Sequence, residues 1–310
     1  MSGNSYGVFV RQLVFTVMGA GVMWLAVSLP LNVVRRLSFP FMLVVFALIA
    51  ATFTPLGIEV NGNRNWLPLV AGVRLQPSEF AKLAIVIWMA HMFAAQHGRM
   101  KTFMDFISPV GIVVIAMAGL VIGQKDIGTA LILFAIILGM FWVAGFPMKA
   151  FAVILSVLVG AMAFFVGTAP HRIARLMSFW DPMADPEGAG YQVVKATMGF
   201  ARGGFWGLGL GNSRQKWGAL PEAHTDFILA VIGEELGLMG GLVILGLFAM
   251  LGYAGYRIVS RSKDRFARYL AAGITLWLMT QAVVNIAMVL KLPPVIGVPL
   301  PLISYGGSSL

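Results

Sequence analysis

Long apolar runs separated by short polar stretches make up most of the chain. Eight of them approach or reach the roughly 20 residues that a helix needs to cross a bilayer: 11–30, 39–55, 77–95, 105–123, 127–145, 149–168, 230–256 and 267–290. They are continuous Leu, Val, Ile, Ala and Phe, without the short period-2 alternation of transmembrane barrel strands. The pattern predicts an all-α polytopic membrane helix bundle forming one domain over 1–310, with no soluble domain appended. One stretch, 169–229, breaks the pattern. It mixes charges (Arg172, Arg175, Asp181, Lys195, Arg202, Arg214, Lys216, Glu222, Asp226) with rings (Trp180, Tyr191, Phe200, Phe205, Trp206, Trp217) that suit a membrane interface. It reads as a long ordered loop in which Tyr191–Arg202 forms an amphipathic helix lying along the outer leaflet.

Composition agrees. Of 310 residues, 59% are hydrophobic and only 11% charged, against about 25% charged in soluble domains, and the mean hydropathy is +0.87. Too few charges remain to cover a soluble fold, so soluble enzymes and nucleic-acid modules are excluded. The net charge of +10 fits basic cytoplasmic loops and anionic lipid rather than nucleic acid. The absence of cysteine excludes disulfides and thiolate metal sites. The first ten residues lack the basic and apolar regions of a signal peptide.

Loop charges give the orientation. Ten basic residues (Arg35, Arg36, Arg99, Lys101, Lys149, Arg257, Arg261, Lys263, Arg265, Arg268) lie on one side and five (Arg11, Arg64, Arg74, Lys125, Lys291) on the other. The first set is cytoplasmic by the positive-inside rule, which puts 169–229 outside. Both chain ends then fall outside, and Ile303–Leu310 reads as the entry to a further helix. The expectation is a ten-span protein of which the first and last spans are missing.

Chemistry-bearing residues are few, and each has an ordinary structural explanation. Gln76-Pro77-Ser78-Glu79-x-x-Lys82 opens the third helix. Proline is tolerated in a first turn, and residues three apart share a face, so Glu79 and Lys82 can pair either structurally or beside an intramembrane cavity. Asp226 precedes the seventh span and reads either as a helix cap or as a general base at a cavity mouth. Glu234 and Glu235 follow one to two turns later; at about 100° per residue Glu234 lies about 80° around from Asp226 and Glu235 on the far side, so both cannot serve one site. Glu235 is expected to partner a buried polar group, and the Gly233–Gly237 spacing to mark close helix packing. The glycines from Gly203 to Gly211 match no nucleotide-binding loop and read as a flexible interfacial turn. The four histidines show no metal-ligand spacing. Ser304-Tyr305-Gly306-Gly307-Ser308-Ser309 offers free N–H groups at a helix start, suited to an anion or to a packed turn.

As an ordered set these motifs are specific. Trp66, Gln76-Pro77-Ser78-Glu79-x-x-Lys82, Gln124-x-Asp126-x-Gly128-Thr129-Ala130, Gly190-Tyr191-Gln192, Leu220-Pro221-Glu222-Ala223-His224-Thr225-Asp226-Phe227 and Ser304–Ser309 together resemble the SEDS family (shape, elongation, division and sporulation). The resemblance covers nearly the whole chain and is nearest to the division branch. Lys125 stands where the family usually has proline, and Ile296 where division members often have Lys or Thr.

The resemblance implies a peptidoglycan glycosyltransferase that polymerises lipid II at the outer face of the bacterial cytoplasmic membrane, at the division septum. Asp226 matches the family's catalytic position, and Glu79 and Lys82 its paired charges. Glu79, Lys82, Arg64, Arg74, Lys216 and Ser304 would bind the substrate. No cofactor is implied, and no signal calls for a divalent cation. The implied partners are a class B penicillin-binding transpeptidase and other division proteins. Two other classes compete. A lipid II transporter should place its polar groups near the midplane and often shows repeated halves, neither of which is seen. An inert division scaffold would need no carboxylate at 226.

Overall fold

The computed structural model describes residues 7–60, 63–68, 74–96, 98, 110–167, 179–181, 183, 185–188, 190–217 and 220–306. The chain is mostly helical. The helices are α1 (Gly7–Ser28), α2 (Leu31–Thr52), α3 (Pro77–Ala95), α4 (Ile112–Gly123), α5 (Ile127–Val143), α6 (Met148–Gly167), α7 (Tyr191–Gly203), α8 (Ile228–Arg261) and α9 (Arg265–Val289). Over its described residues each of the eight apolar runs falls largely on a helix, and α7 is the expected amphipathic segment. By length and composition α2, α3, α8 and α9 can cross a membrane, while Gln12–Ser28, α4 and α5 are shorter apolar helices.

An all-α reading misses one small feature. Between α2 and α3 the chain forms β1 (Ile58–Val60), β2 (Asn63–Pro68) and β3 (Arg74–Leu75), an antiparallel sheet in that order. The pairing runs Glu59↔Arg64 and Val60↔Asn63 on one side of β2, and Leu67↔Leu75 and Pro68↔Arg74 on the other. With two to six residues each, these strands are too short for a periodicity signal.

The chain divides into two compact units, whose boundaries fall between α1 and α2 and within α6, α8 and α9. One comprises 29–158 and 252–280, the other 1–28, 159–251 and 281–310. In the first unit α3 is the central element. Ala81, Ala84, Ile85, Val86, Met89, Ala90 and Phe93 are all buried, so the helix is apolar on nearly every face, as a fully enclosed helix must be. It packs against α2 through Met42, Val45 and Ile49, and against α5, whose buried side includes Ile132, Leu133 and Ile136. Gly273 of α9 lies close against Val86 and Met140. Phe93 meets Phe141 and Tyr269, each at 5.7 Å between ring centres.

In the second unit α8 is broken. Gly237 has φ 65° and ψ −161°, a region open to glycine alone. A break in an apolar helix frees backbone groups that water cannot reach, so another segment must satisfy them. The chain just after α7 does so. Leu208 N–H and Gly209 N–H donate to the carbonyls of Glu234 and Glu235, and Leu238 N–H and Met239 N–H donate to Gly204 and Phe205. Four exchanged bonds replace the missing helical ones. The approach is close enough that a Cβ on Gly207 would strike the Glu235 carbonyl, and one on Gly237 the Gly207 amide. The Gly203–Gly211 stretch is therefore a docked structural insert rather than a flexible turn. Close packing at Gly233 and Gly237 is present, with α7 and this insert as the packed partner: Gly233 faces the Phe200 ring, and Gly203 the Gly233 carbonyl.

Candidate active site

Asp226 belongs to the second unit, on the turn that precedes α8. The turn is built on Glu222, whose φ of 54° reverses the chain. Its carbonyl accepts from Thr225 N–H and Phe227 N–H, and its carboxylate accepts from Thr225 Oγ1 at 2.6 Å. Phe227 is buried and anchors the turn.

Three successive carbonyls of this segment are then held from the C-terminal part of the chain. Tyr305 N–H donates to His224 O at 2.8 Å, Ser304 Oγ to Thr225 O at 2.6 Å, and Asn285 Nδ2 to Asp226 O at 2.8 Å. Ser304 Oγ also accepts from Leu300 N–H, which folds the strap Val298–Ser304 onto the segment. Gly297 lies next to the carboxylate: a Cβ there would sit 3.4 Å from Asp226 Oδ2. Sequence reading found Ser304 but gave it to substrate. Its hydroxyl is buried and occupied by Thr225 and Leu300.

The Asp226 backbone is thus held while its carboxylate is not. Among the described residues no donor bonds to that carboxylate, and it caps no N–H of α8. The side chain is half-buried. Burial, and after it the charge of Glu222, push its pKa from 3.8 up to about 6. Desolvation disfavours the charged form, and no hydrogen bond offsets it. The result is a carboxylate that is ionised at neutral pH yet basic enough to accept a proton.

Glu234 and Glu235 are both bonded to one segment, Ser213–Lys216. Glu234 is fully buried and accepts from Ser213 Oγ at 2.6 Å and Gln215 N–H at 3.2 Å, with Arg202 at 3.9 Å. Glu235 pairs with Lys216 at 2.6 Å and accepts from Ser213 N–H. The short segment Ser213–Lys216 curves across α8 and reaches both positions, which a wheel drawn for one helix cannot show. Glu235 partners the buried Ser213, as expected, and Glu234 is the more deeply buried of the two. Lys216 is placed in this anchor, beside the Trp217 ring.

The other charged candidates lie in the first unit. Lys82 is 2% exposed and Glu79 11%, with Nζ 2.7 Å from each carboxylate oxygen, so the expected pair is formed. Lys82 also sits 5.4 Å from the Trp277 ring centre. Arg64 turns back onto the end of α2, donating to Gly57 O and Thr54 O, and Arg74 is exposed on β3.

Asp126, which in the sequence stands out only within its motif, is a further organising residue. Asp126 is buried and caps α5, accepting from Thr129 N–H at 3.1 Å and Thr129 Oγ1 at 2.9 Å. Its carboxylate also accepts from Asn65 Nδ2 at 2.9 Å, Gln76 Nε2 at 2.8 Å and Ser78 Oγ at 3.5 Å. One carboxylate thus ties β2, the start of α3 and the start of α5 together, setting the turn that carries Glu79. Among the described residues no three His, Cys, Asp or Glu side chains come together as a metal site would require.

These features define a polytopic membrane protein with a poised carboxylate at a helix entrance. The model of the FtsW, RodA and SpoVE cell cycle proteins matches residues 1–310, and the chain belongs to that family. The probable peptidoglycan glycosyltransferase FtsW of Mycobacterium tuberculosis is 39% identical over 308 residues, 99% of this chain and 59% of that protein. The one of Acinetobacter baylyi is 40% identical over 314 residues, 100% of this chain and 78% of that protein. A chain of a peptidoglycan synthase complex, solved for the coordination of polymerization and crosslinking, superposes with a TM-score of 0.82 at 27% identity, covering 98% of this chain and 85% of that one. The Thermus thermophilus rod shape determining protein RodA gives a TM-score of 0.73 at 26% identity, covering 100% and 84%. The chain spans 59% of the length of its mycobacterial relatives.

Proposed function

We propose that this chain carries the catalytic membrane domain of a peptidoglycan glycosyltransferase that polymerises lipid II, with Asp226 as general base. Support comes from family membership over the whole chain, and from relatives at 39% and 40% identity named as such enzymes. The observation that carries the residue assignment is the Asp226 carboxylate. It has a held backbone, no bonded donor among the described residues and a pKa pushed to about 6.

The chemistry needs one base. An acceptor sugar 4-hydroxyl attacks the anomeric carbon of a lipid-linked donor, and its proton passes to Asp226 as the bond forms. The bond to the polyprenyl pyrophosphate breaks with its electron pair left on the phosphate, which needs positive charge more than a proton. Displacement at an α-linked donor gives a β-linked product. A single carboxylate suffices, unlike the pair used by most glycosidases.

The remaining assignments belong to the same reading. The eight apolar helices cross the membrane with the 190–226 region outside. Lys82, Arg64, Arg74 and Lys216 supply positive charge toward the pyrophosphate, Lys82 and Lys216 with an acidic partner each. The partner is a class B penicillin-binding transpeptidase, and the place of action is the septum. The test is reconstitution of the full-length protein with that partner and labelled lipid II. Glycan polymer that disappears with Asp226→Asn supports the reading. Labelled lipid crossing liposome bilayers without polymer overturns it.

A further inference from the structure

Asn285 sits on α9 among Ala282, Ile286, Met288 and Val289 and is 0% exposed. Its Nδ2 donates to two carbonyls, Asp226 O at 2.8 Å and Val298 O at 2.6 Å. Both are pure acceptors, so the amide orientation is settled by its partners. Its Oδ1 is buried and, among the described residues, accepts nothing. Leaving such an atom unsatisfied costs on the order of 1–3 kcal/mol, and a leucine here would avoid that cost. One turn earlier Gln281 donates to Pro299 O at 3.1 Å, so two amides on one face of α9 hold the strap.

We infer that Asn285 is a positioning residue for the reaction: it bridges the peptide of Asp226 to that of Val298 and so sets the carboxylate against Gly297. The geometry leaves few alternatives for this task. Tyr305 N–H and Ser304 Oγ hold the carbonyls of His224 and Thr225, but the Asp226 carbonyl itself is bonded by Asn285. The titratable neighbours are Glu222 and His224 on the segment, and Tyr305 just after the strap. α9 contributes the uncharged Gln281 and Asn285. Removing the bridge frees the Asp226 peptide and admits water to its carboxylate.

The inference rests on Asp226 being the base, and the experiment separates the two. Asn285→Leu, close in size and without a donor, is compared with wild type and Asp226→Asn in the full-length protein with its transpeptidase, using labelled lipid II from pH 5 to 8. The expected result is a kcat lower by about 10²-fold, the scale of a 1 Å misplacement, with KM little changed. The acid limb moves below its wild-type position as the carboxylate becomes hydrated. Asn285→Thr, whose one hydroxyl can serve one carbonyl, should lie between. It decides the matter on the same readouts if the leucine variant does not accumulate folded. An unchanged kcat and acid limb, or a rise in KM alone, overturns the inference. Should Asp226→Asn itself polymerise at the wild-type rate, the assignment of the base fails instead.

Discussion

At the scale of single residues, Asp226 carries opposite demands of stability and chemistry. Its pKa is about 6 in the folded protein and 3.8 ordinarily. Between those values the folded state binds more protons than the unfolded one, so stability falls as pH rises from about 4 to about 6 and stays lower above. Asp226→Asn removes that penalty, for which a shift of this size sets an upper limit of about 3 kcal/mol. In thermal unfolding, the Asn variant should match or exceed wild type at pH 8, with the difference closing toward pH 4. In activity the order reverses: polymer formation should fall by about 10²–10⁴-fold, the usual contribution of a general base, and the wild-type rate should drop below pH 6. Glu79 and Lys82 pose a different question. Removing either strands a buried charge, so Glu79→Ala and Lys82→Ala should each cut activity strongly and the double change should cost less than their sum. Additive losses at normal expression would show two independent roles. Both pairs of facts were partly legible in sequence, because an i, i+3 pair and a residue at a helix entrance depend on local spacing. Asn285 was not legible. Its partners lie 59 and 13 positions away, and one amide in an apolar run carries no periodic signal.

At the scale of elements, helices were readable where their apolar runs were long, and the breaks within them were not. The 230–256 run looks continuous because an insert from elsewhere in the chain satisfies the freed peptide groups, and hydropathy does not register backbone conformation. The glycines were the only local trace. Gly237→Ala forces a side chain into a glycine-only conformation, costing roughly 1–3 kcal/mol, and drives its Cβ into Gly207 N and Phe205 O. A lower melting temperature and faster tryptic cutting at Arg214 and Lys216 should follow. Gly241→Ala, one turn on, meets nothing within 4 Å and should be neutral or slightly stabilising. A milder case ends α4, where Lys125 takes φ 62° and donates its N–H to Ile122 O. This is the left-handed position after a helix, where glycine is favoured, so Lys125→Gly should raise stability by about 1 kcal/mol. The sheet between α2 and α3 stayed hidden for the opposite reason: its strands are too short to show alternation.

At the scale of the whole molecule, family and architecture agree on a multi-pass membrane protein. The stretch Leu238–Arg261 rises about 36 Å as a helix, enough for the roughly 30 Å hydrocarbon core. The part of α8 before the break is then not needed for the crossing and can stand at the same membrane face as Asp226. The chain has no cysteine, so Asn212→Cys and Lys263→Cys, both at exposed positions, each give one reactive thiol. An impermeant reagent added outside should label the first and spare the second; the reverse would invert the orientation.

The strap has a consequence for the order in which the protein is made. The insert that completes α8 leaves the ribosome before α8 itself, so the broken helix can close as soon as it emerges. The donors to His224, Thr225 and Asp226 come from residues 285–305, near the end of this stretch. The candidate base therefore stays unset until residues 285–305 have emerged, and a nascent chain stalled before 285 holds a closed α8 and an unset Asp226.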